Sequence, residues 1–560
     1  MKIKSKILIL SLSSFIIASC VETPLVSEDT FSTQNENNTS SSSTNTKNNN
    51  NEETSNPDSN NNEPAPSSDD TGPDNPGTDN PSTDNPGTDN PGTDDTGGNE
   101  GETGGQTDDT GGNDETGGKE EEYDLNNPVS LNVHNLTLYV NGTYQLNTQN
   151  KNNLPLFYTS DISDYVQVSS TGLITAKEIC KTKVTVRDSI GNSDYCIVEV
   201  KQNPNFKFNV NYLDLFVGET ANITTNVSNT TYSSEDENIA TISSSGEIRA
   251  VSAGVVNLVA RKDNSIDKCQ LRVVLQNHSM FEFEEITGGY AVKGFSSTVS
   301  NEDKKNIIIP YKYNDKPVTA ISGSAFWDYK TNTKSEKLIL PNSIKTIGSS
   351  AFMGRGFTQI GTLYLPNELE IIDRFGFENG SFEYIYFPRK EFTLTTYAFQ
   401  NCHSLKKIYL HEKINLPKDP FHDCYGTGGG IGITHIYLEE GIKVIPEQLC
   451  FALHELEYFN IPSSTTEIKE LIFYMMKYDN FGIRKLIIPK NVEQITSRLY
   501  AFNGDADTLP NPPMKLLCEK EEIPTAYSSS NNDSYYIYSK TSPTDNGKFW
   551  HYVNNEPTIW

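Results

Sequence analysis

Leu338-Ile339-Leu340-Pro341, followed by Ile344, Ile347 and Ala351-Phe352, is the stretch that decides the fold. Its frame returns as Leu363-Tyr364-Leu365-Pro366 closing on Phe377, as Ile385-Tyr386-Phe387-Pro388 closing on Ala398-Phe399, and as Phe459-Asn460-Ile461-Pro462 closing on Phe473. The step from proline to closing aromatic is eleven residues in all four, as from Pro341 to Phe352. Degenerate copies lie between and after them: Ile408-Tyr409-Leu410 leads to Phe421, Ile436-Tyr437-Leu438 to Cys450, and Leu486-Ile487-Ile488-Pro489 to Ala501-Phe502. Self-similarity at a period in the twenties implies a solenoid, in which each unit buries its apolar side only against its neighbours.

Within Leu-x-Leu-Pro, the period of two turns the flanking residues inward and sends the middle residue to the open face. Down the repeats that position reads Ile308, Ile339, Tyr364, Tyr386, Tyr409, Tyr437, Asn460 and Ile487. Four tyrosines in consecutive coils would stack one strand spacing apart, about 4.7–4.9 Å. Tyrosine joins a large contact area to a hydroxyl at low entropic cost, so Tyr364, Tyr386, Tyr409 and Tyr437 form a candidate binding face. The alternative needs no ligand, since cross-strand aromatic pairs stabilise a sheet by about 0.2–1 kcal/mol each.

The formal charge of −29 argues against nucleic acid as a partner, because phosphate backbones require clustered Lys and Arg. Nearly all of it lies between Val21 and Asn127, where 26 acidic residues stand against Lys47 and Lys119. This stretch is almost free of large apolar side chains and repeats the unit Asp74-Asn75-Pro76-Gly77-Thr78. It is expected to stay disordered as an acidic linker over 20–127, with a reach of about 55–60 Å as a flexible coil. Proline interrupts every unit, which argues against a calcium loop with ligands at alternate positions.

Ahead of it, Lys2, Lys4 and Lys6 precede the apolar run Ile7 to Ile17, too short for a stable transmembrane helix and of signal-peptide form over 1–19. The ending Ile17-Ala18-Ser19-Cys20 resembles a bacterial lipobox, which implies cleavage before Cys20, a lipid on its sulfur and anchorage to a membrane at the cell surface. An ordinary signal peptide with an incidental cysteine is the alternative. Lipidation of one of eight cysteines leaves an odd number, which argues against a disulfide framework.

Two all-β units follow, at 128–202 and 206–276. Tyr158, Val168, Gly172, Ile174 and Ala176 match Tyr232, Ile242, Gly246, Ile248 and Ala250 at a constant offset. Alternating apolar residues and frequent turn signals suggest small antiparallel sandwiches. Ser169-Ser170-Thr171-Gly172-Leu173-Ile174-Thr175-Ala176 and Ser243-Ser244-Ser245-Gly246-Glu247-Ile248-Arg249-Ala250 resemble the signature of bacterial immunoglobulin-like group 2 domains, mainly spacers in surface proteins. The first unit departs from it, with Cys180-Lys181 where the second carries Ala253-Gly254. Cys196 and Cys269 take equivalent last-strand positions and are expected to be small core residues, a bridge being the alternative.

The repeats of 281–527, with Ala398-Phe399-Gln400-Asn401-Cys402-His403-Ser404-Leu405 as the fullest copy, resemble the BspA-like leucine-rich repeats of bacterial surface proteins. Register is least defined between 400 and 450, where two copies lack the proline. The aromatic segment 528–560, ending in Trp560, is expected to cap the last coil, a sugar-binding patch being the alternative. The fold class is therefore mainly β and multidomain: two immunoglobulin-like sandwiches, then a leucine-rich-repeat solenoid with short helical turns.

Cys402-His403 and His422-x-Cys424 recur in adjacent coils and invite a metal or disulfide reading, against which the resemblance implies inert buried cysteines. Gly426 to Gly430 lacks a Lys-Ser/Thr continuation and reads as a loop insertion rather than a phosphate cradle. No nucleophile, base and acid set stands in a motif context, so no enzymatic activity and no cofactor are expected. What the resemblance implies is adhesion, with a host matrix, host-cell or bacterial surface protein as partner. A glycan-binding envelope protein and a passive structural component are the alternatives.

Overall fold

The computed structural model describes residues 128–263, 265–327, 335–354, 360–426, 432–476, 482–496, 499–502, 514–520 and 535–560. The signal segment, Cys20 and the acidic linker lie outside the described residues.

The first all-β unit pairs Asn135–Tyr139, Ser193–Lys201, Cys180–Asp188 and Leu156–Ser160 in a four-stranded sheet, and Thr143–Gln145, Leu173–Ala176 and Val166–Val168 in a three-stranded one. Leu138, Val184, Cys196 and Val198 of one sheet share a buried core with Val166, Ile174 and Ala176 of the other. The second unit repeats the plan. Tyr212–Phe216, Ser265–Val274, Gly254–Lys262 and Thr231–Ser234 oppose Thr220–Asn222, Glu247–Ala250 and Ala240–Ile242. Cys196 faces Val184 as Cys269 faces Leu258, and both thiols are free and buried. Gly172 and Gly246 turn the backbone at φ +83° and +86°, which is left-handed space that a Cβ opposes.

The departure at Cys180 has a local cause. Pairing sets Cys180 opposite Val200 as it sets Gly254 opposite Val273, so the cysteine takes the place of Gly254 itself. A Cβ on Gly254 would meet Ile239 at 2.6 Å. The first unit carries Tyr165 where the second has Ile239, as the shared hydrogen bonds from Lys177 N–H and Val251 N–H to these two carbonyls show. The Tyr165 ring packs against the core of its own unit and also stacks on Tyr409, a residue of the distant repeats.

From Phe281 onward the chain builds two rows of short strands. One runs Gly289–Phe295, Lys316–Ile321, Thr346–Ile347, Ile371–Ile372, Phe392–Leu394 and Ile414–Asn415, and continues as Val444–Ile445, Glu467–Ile468 and Gln494–Ile495. The other carries the Leu-x-Leu segments: Thr362–Tyr364, Tyr384–Tyr386, Lys407–Leu410, His435–Leu438 and Tyr458–Phe459, then Lys485–Ile488, Lys515–Cys518, Tyr535–Tyr538 and Phe549–Val553. Within these two rows the pairings are parallel. Ile408-Tyr409-Leu410 aligns residue for residue with Ile436-Tyr437-Leu438, which fixes the register of the proline-less copies.

Between the rows the closing aromatics stack. Phe326, Phe352, Phe377, Phe399 and Phe421 follow one another with centroid spacings of 5.3, 5.1, 5.3 and 5.9 Å, all buried. Two residues before the closing position the backbone is left-handed in every one of these coils, at Ser324, Ser350, Phe375, Tyr397 and Asp419, and again at Gln448 and Leu471. That conformation costs a non-glycine residue about 1 kcal/mol or more. It is kept because it turns the chain so that the aromatic two positions later enters the stack. Among the described residues the only helical turns are the 3-10 turns His278–Met280 and Asp303–Lys305, so the turns inside the repeats are not helices.

The C-terminal segment continues the sheet rather than lying across it. Trp550 is fully buried and its Nε1–H donates to the Cys518 carbonyl at 3.0 Å, while Glu556–Ile559 closes the edge as an antiparallel hairpin strand.

Candidate functional site

The four tyrosines do share one face. Tyr364 aligns with Tyr386 and Tyr409 with Tyr437, with ring centroids 5.8 Å and 4.7 Å apart. The face is not open, however. Ile308 and Ile339 at its N-terminal end are 4% and 3% exposed, and Tyr437 is 6% exposed. The expectation of an open face fails because the two all-β units lie along it.

The second unit covers the first coils. Phe216 and Val274 share a buried cluster with Ile308 and Ile339. Arg272, fully buried, reaches across with its guanidinium. Nη2 donates to the Leu365 carbonyl at 2.7 Å, and Nη1 donates to the Leu340 carbonyl. These are carbonyls at the ends of two Leu-x-Leu-Pro segments, where proline follows and the strand stops. The Asp214 carboxylate accepts from Asn342 N–H at 2.9 Å and from Asn342 Nδ2 at 2.9 Å. Burial pushes the Asp214 carboxyl up to about 6, although Arg272 and Asn342 pull it down. Burial likewise brings Arg272 down to about 10, against the opposing pull of Asp214.

The first unit covers the later coils. Tyr409 is held between Tyr165 at 4.4 Å and Tyr437 at 4.7 Å, both rings nearly parallel to it. Its hydroxyl donates to Asp164 Oδ2 at 2.6 Å, and Lys407 Nζ reaches the same oxygen at 2.9 Å. Those bonds, Tyr409 first, hold the Asp164 carboxyl below its usual range. Burial raises the Tyr409 hydroxyl, which stays protonated as a donor. Tyr458 donates to the Asp161 carbonyl at 2.8 Å. Backbone joins in: Glu440 N–H donates to the Lys181 carbonyl at 2.8 Å, and the Glu439 carboxylate accepts from Lys181 N–H and from Arg389 Nη1 at 2.6 and 2.9 Å. Further on, the Arg187 guanidinium lies 3.5 Å from the centre of the Tyr552 ring.

Between these covers one part of the stripe keeps solvent access. Tyr386 is 42% exposed and its strand neighbour Tyr384 is 38% exposed, on the same face two residues away. Tyr364 is half-buried beside them. Asn460, next along the face, is spent on the backbone: its side chain donates to and accepts from the Leu438 peptide groups at 2.7 and 2.8 Å.

Cys402 and Cys424 are free and buried. Each thiol donates to the carbonyl of the closing phenylalanine one coil earlier, Cys402 to Phe377 at 3.3 Å and Cys424 to Phe399 at 2.9 Å. Burial pushes the Cys424 thiol far up, so it is no thiolate ligand or nucleophile. Among the described residues no group of three or more His, Cys, Asp and Glu side chains could hold a metal ion, and no helix is long and apolar enough to cross a membrane. Most of the Gly426–Gly430 insertion lies outside the described residues.

Sequence reasoning missed Arg272, Asp214, Asp164 and Tyr165, which read as ordinary surface positions of β units. The available signal was in the repeats: isoleucine at the outward positions 308 and 339 marks a face with a cover.

Residues 319–427 and 429–507 match the family model described as BspA type leucine rich repeat region, in six copies. No curated protein matches the chain. Among solved structures, a leucine-rich-repeat protein of T. pallidum aligns at 19% identity over 34% of this chain and 82% of its own, with a TM-score of 0.28. A leucine-rich-repeat protein from Bacteroides ovatus aligns at 18% identity over 46% of this chain and 68% of its own, with a TM-score of 0.33. Domains 4 and 5 of the S-layer protein SbsC align at 16% identity over 26% of this chain and 96% of theirs, with a TM-score of 0.13.

Proposed function

We propose that this chain is a bacterial surface protein, tethered to a membrane by lipid on Cys20 and raised on its acidic linker, whose two immunoglobulin-like units and leucine-rich repeats together form an adhesin for a host or bacterial surface protein. The observation that carries the reading is the six-copy repeat match, since repeats of this family suggest a protein-interaction surface. The charge distribution and the lipobox-like Ile17-Ala18-Ser19-Cys20 support the tether. The role is one of binding rather than catalysis.

The partner is proposed to meet the uncovered part of the tyrosine stripe, Tyr364 and Tyr386 with Tyr384 beside them. Tyr409 and Tyr437 contribute by holding the first unit in place. A partner that buries Tyr384 and Tyr386 gains the aromatic area and hydroxyls on which interface energy concentrates. Replacing Tyr384 and Tyr386 together by Ser is expected to abolish binding of the purified chain to host cells or matrix proteins while lowering stability by no more than about 1 kcal/mol, the worth of the lost pair with Tyr364. Unchanged binding would exclude this face. The exposed tyrosines also suit a sugar platform, and in that second reading soluble sugar competes and protease treatment of the target has no effect. Absence of binding on cell, matrix and glycan panels would leave a passive structural component. Cys20→Ala tests the tether separately, because the lipid-anchored protein partitions into detergent and the variant is expected in the aqueous phase.

A further inference from the structure

The row of Leu-x-Leu strands is interrupted between Tyr458–Phe459 and Lys485–Ile488, which belong to different sheets. A cavity of about 480 Å³ opens at that break, with the repeats as its floor and the first all-β unit as its roof. Its size falls among small-molecule sites, typically about 300–1,000 Å³. The roof presents Lys183, Thr185 and Arg187, alternate residues on one face of the strand Cys180–Asp188.

Arg187 is 9% exposed, stacked over Tyr552 and bonded through Nη1 to Asn555 Oδ1 at 3.0 Å, yet its Nε–H has no acceptor. A buried charged donor left without a partner is a cost that a native structure normally avoids. Lys183 Nζ stands 3.7 Å from Asp161 Oδ2, longer than the ~2.7–2.9 Å of a charge-assisted hydrogen bond. Two neighbouring cations therefore line the roof of the cavity, Arg187 with one donor unpartnered and Lys183 held only at long ion-pair distance by Asp161. The walls as a whole carry four cations and three carboxylates, Asp161, Glu457 and Glu519. That balance disfavours a dianion such as phosphate and suits a ligand with one negative charge and several hydroxyls for the carboxylates to accept from.

We propose that this cavity binds an acidic monosaccharide of the hexuronate class, its carboxylate on Arg187 and Lys183 and its hydroxyls toward Glu519 and Thr185. Such a ligand touches both the first all-β unit and the repeats, so binding also holds the two together. The cavity stands apart from the exposed tyrosines, so failure here leaves the partner proposed for them untouched.

Titration calorimetry on the whole purified chain tests it, with sodium glucuronate and galacturonate as probes and glucose, acetate and phosphate as comparators. A saturable isotherm with Kd below about 1 mM for a hexuronate, and at least about tenfold weaker binding of glucose and of acetate, is expected. Arg187→Gln is expected to weaken hexuronate binding at least tenfold while the chain melts cooperatively. If that variant does not fold, Glu519→Gln at the cavity wall serves instead, with a several-fold loss expected. No heat at millimolar hexuronate, equal binding of acetate or glucose, or unchanged binding by the folded variant would overturn the proposal.

Discussion

In the first coils of the repeat face the outward residue is isoleucine, and farther along, at Tyr409 and Tyr437, it is tyrosine; both are covered by an all-β unit, in different chemistries. Ile308 and Ile339 meet Phe216 and Val274, a dry contact pinned by the buried Arg272. Tyr165 stacks on Tyr409, which stacks on Tyr437, a column edged by Asp164 and Lys407, with Tyr458 bonded to the Asp161 carbonyl nearby. The dry contact draws on apolar burial plus guanidinium bonds to carbonyls that proline has left without strand partners. The aromatic contact draws on ring area, with the Tyr409 hydroxyl on the Asp164 carboxylate and the Tyr458 hydroxyl on a backbone carbonyl. One fold position has thus been adapted to two neighbours that are copies of one another.

Substitutions at the two ends should rank in a fixed order of cost. Arg272→Met should cost most, about 3–5 kcal/mol, because it strands Asp214 and two carbonyls in a buried contact. Chemical denaturation followed by tryptophan and tyrosine fluorescence measures it. Phe216→Ala empties the centre of the same contact and should cost about 3 kcal/mol. At the other end, Tyr165→Ala should cost about 1–2 kcal/mol, the worth of ring burial and stacking. Lys407→Ala should cost about 0.5 kcal/mol or less, since the pair with Asp164 is partly solvated and screened by salt. If the tyrosine end proved costlier than the arginine end, the ranking of the two chemistries would be wrong.

The two ends also differ in their response to acid. The Asp214 carboxyl is raised to about 6 from 3.8, so the native state binds its proton more tightly than the unfolded chain. Stability from this group therefore rises as pH falls through about 6 and is lost above it. His411, beneath the tyrosine end, is brought by burial to about 3, with its Nε2 on the Pro388 carbonyl at 3.1 Å. The unfolded chain takes up that proton first, so this group's contribution is lost as pH falls below its ordinary value of 6.5. Between about pH 7.5 and 5, Asp214→Asn should lose about 1 kcal/mol of stability relative to the unsubstituted chain, and His411→Gln should gain relative to it. Melting temperatures at the two pH values, taken as differences between each variant and the parent, separate the opposing slopes.

Much of the repeat architecture was legible in the sequence because its determinants are local and repeated. The eleven-residue step from Pro341 to Phe352 is a turn count, and it returns in the fold as the stack from Phe326 to Phe421. The alternation in Leu-x-Leu likewise told which residues share a face. What covers that face was not legible. Tyr165 and Tyr409 lie on different elements far apart in the chain, and neither has a local pattern that announces the other. The nearest sign was a mismatch between the two all-β units, with Cys180 and Tyr165 standing where the second unit has Gly254 and Ile239.

The central claim is that the all-β units lie along the repeat face, and Lys407 and Asp164 offer its most direct test. Their side chains are 2.9 Å apart while 243 residues separate them in sequence. Carbodiimide treatment of the dilute purified chain joins amines to carboxylates only where they touch. Peptide mass spectrometry is predicted to find the Lys407–Asp164 isopeptide beside the within-unit pair Lys268–Glu235. Recovery of Lys268–Glu235 with no link between Lys407 and Asp164 would contradict that placement.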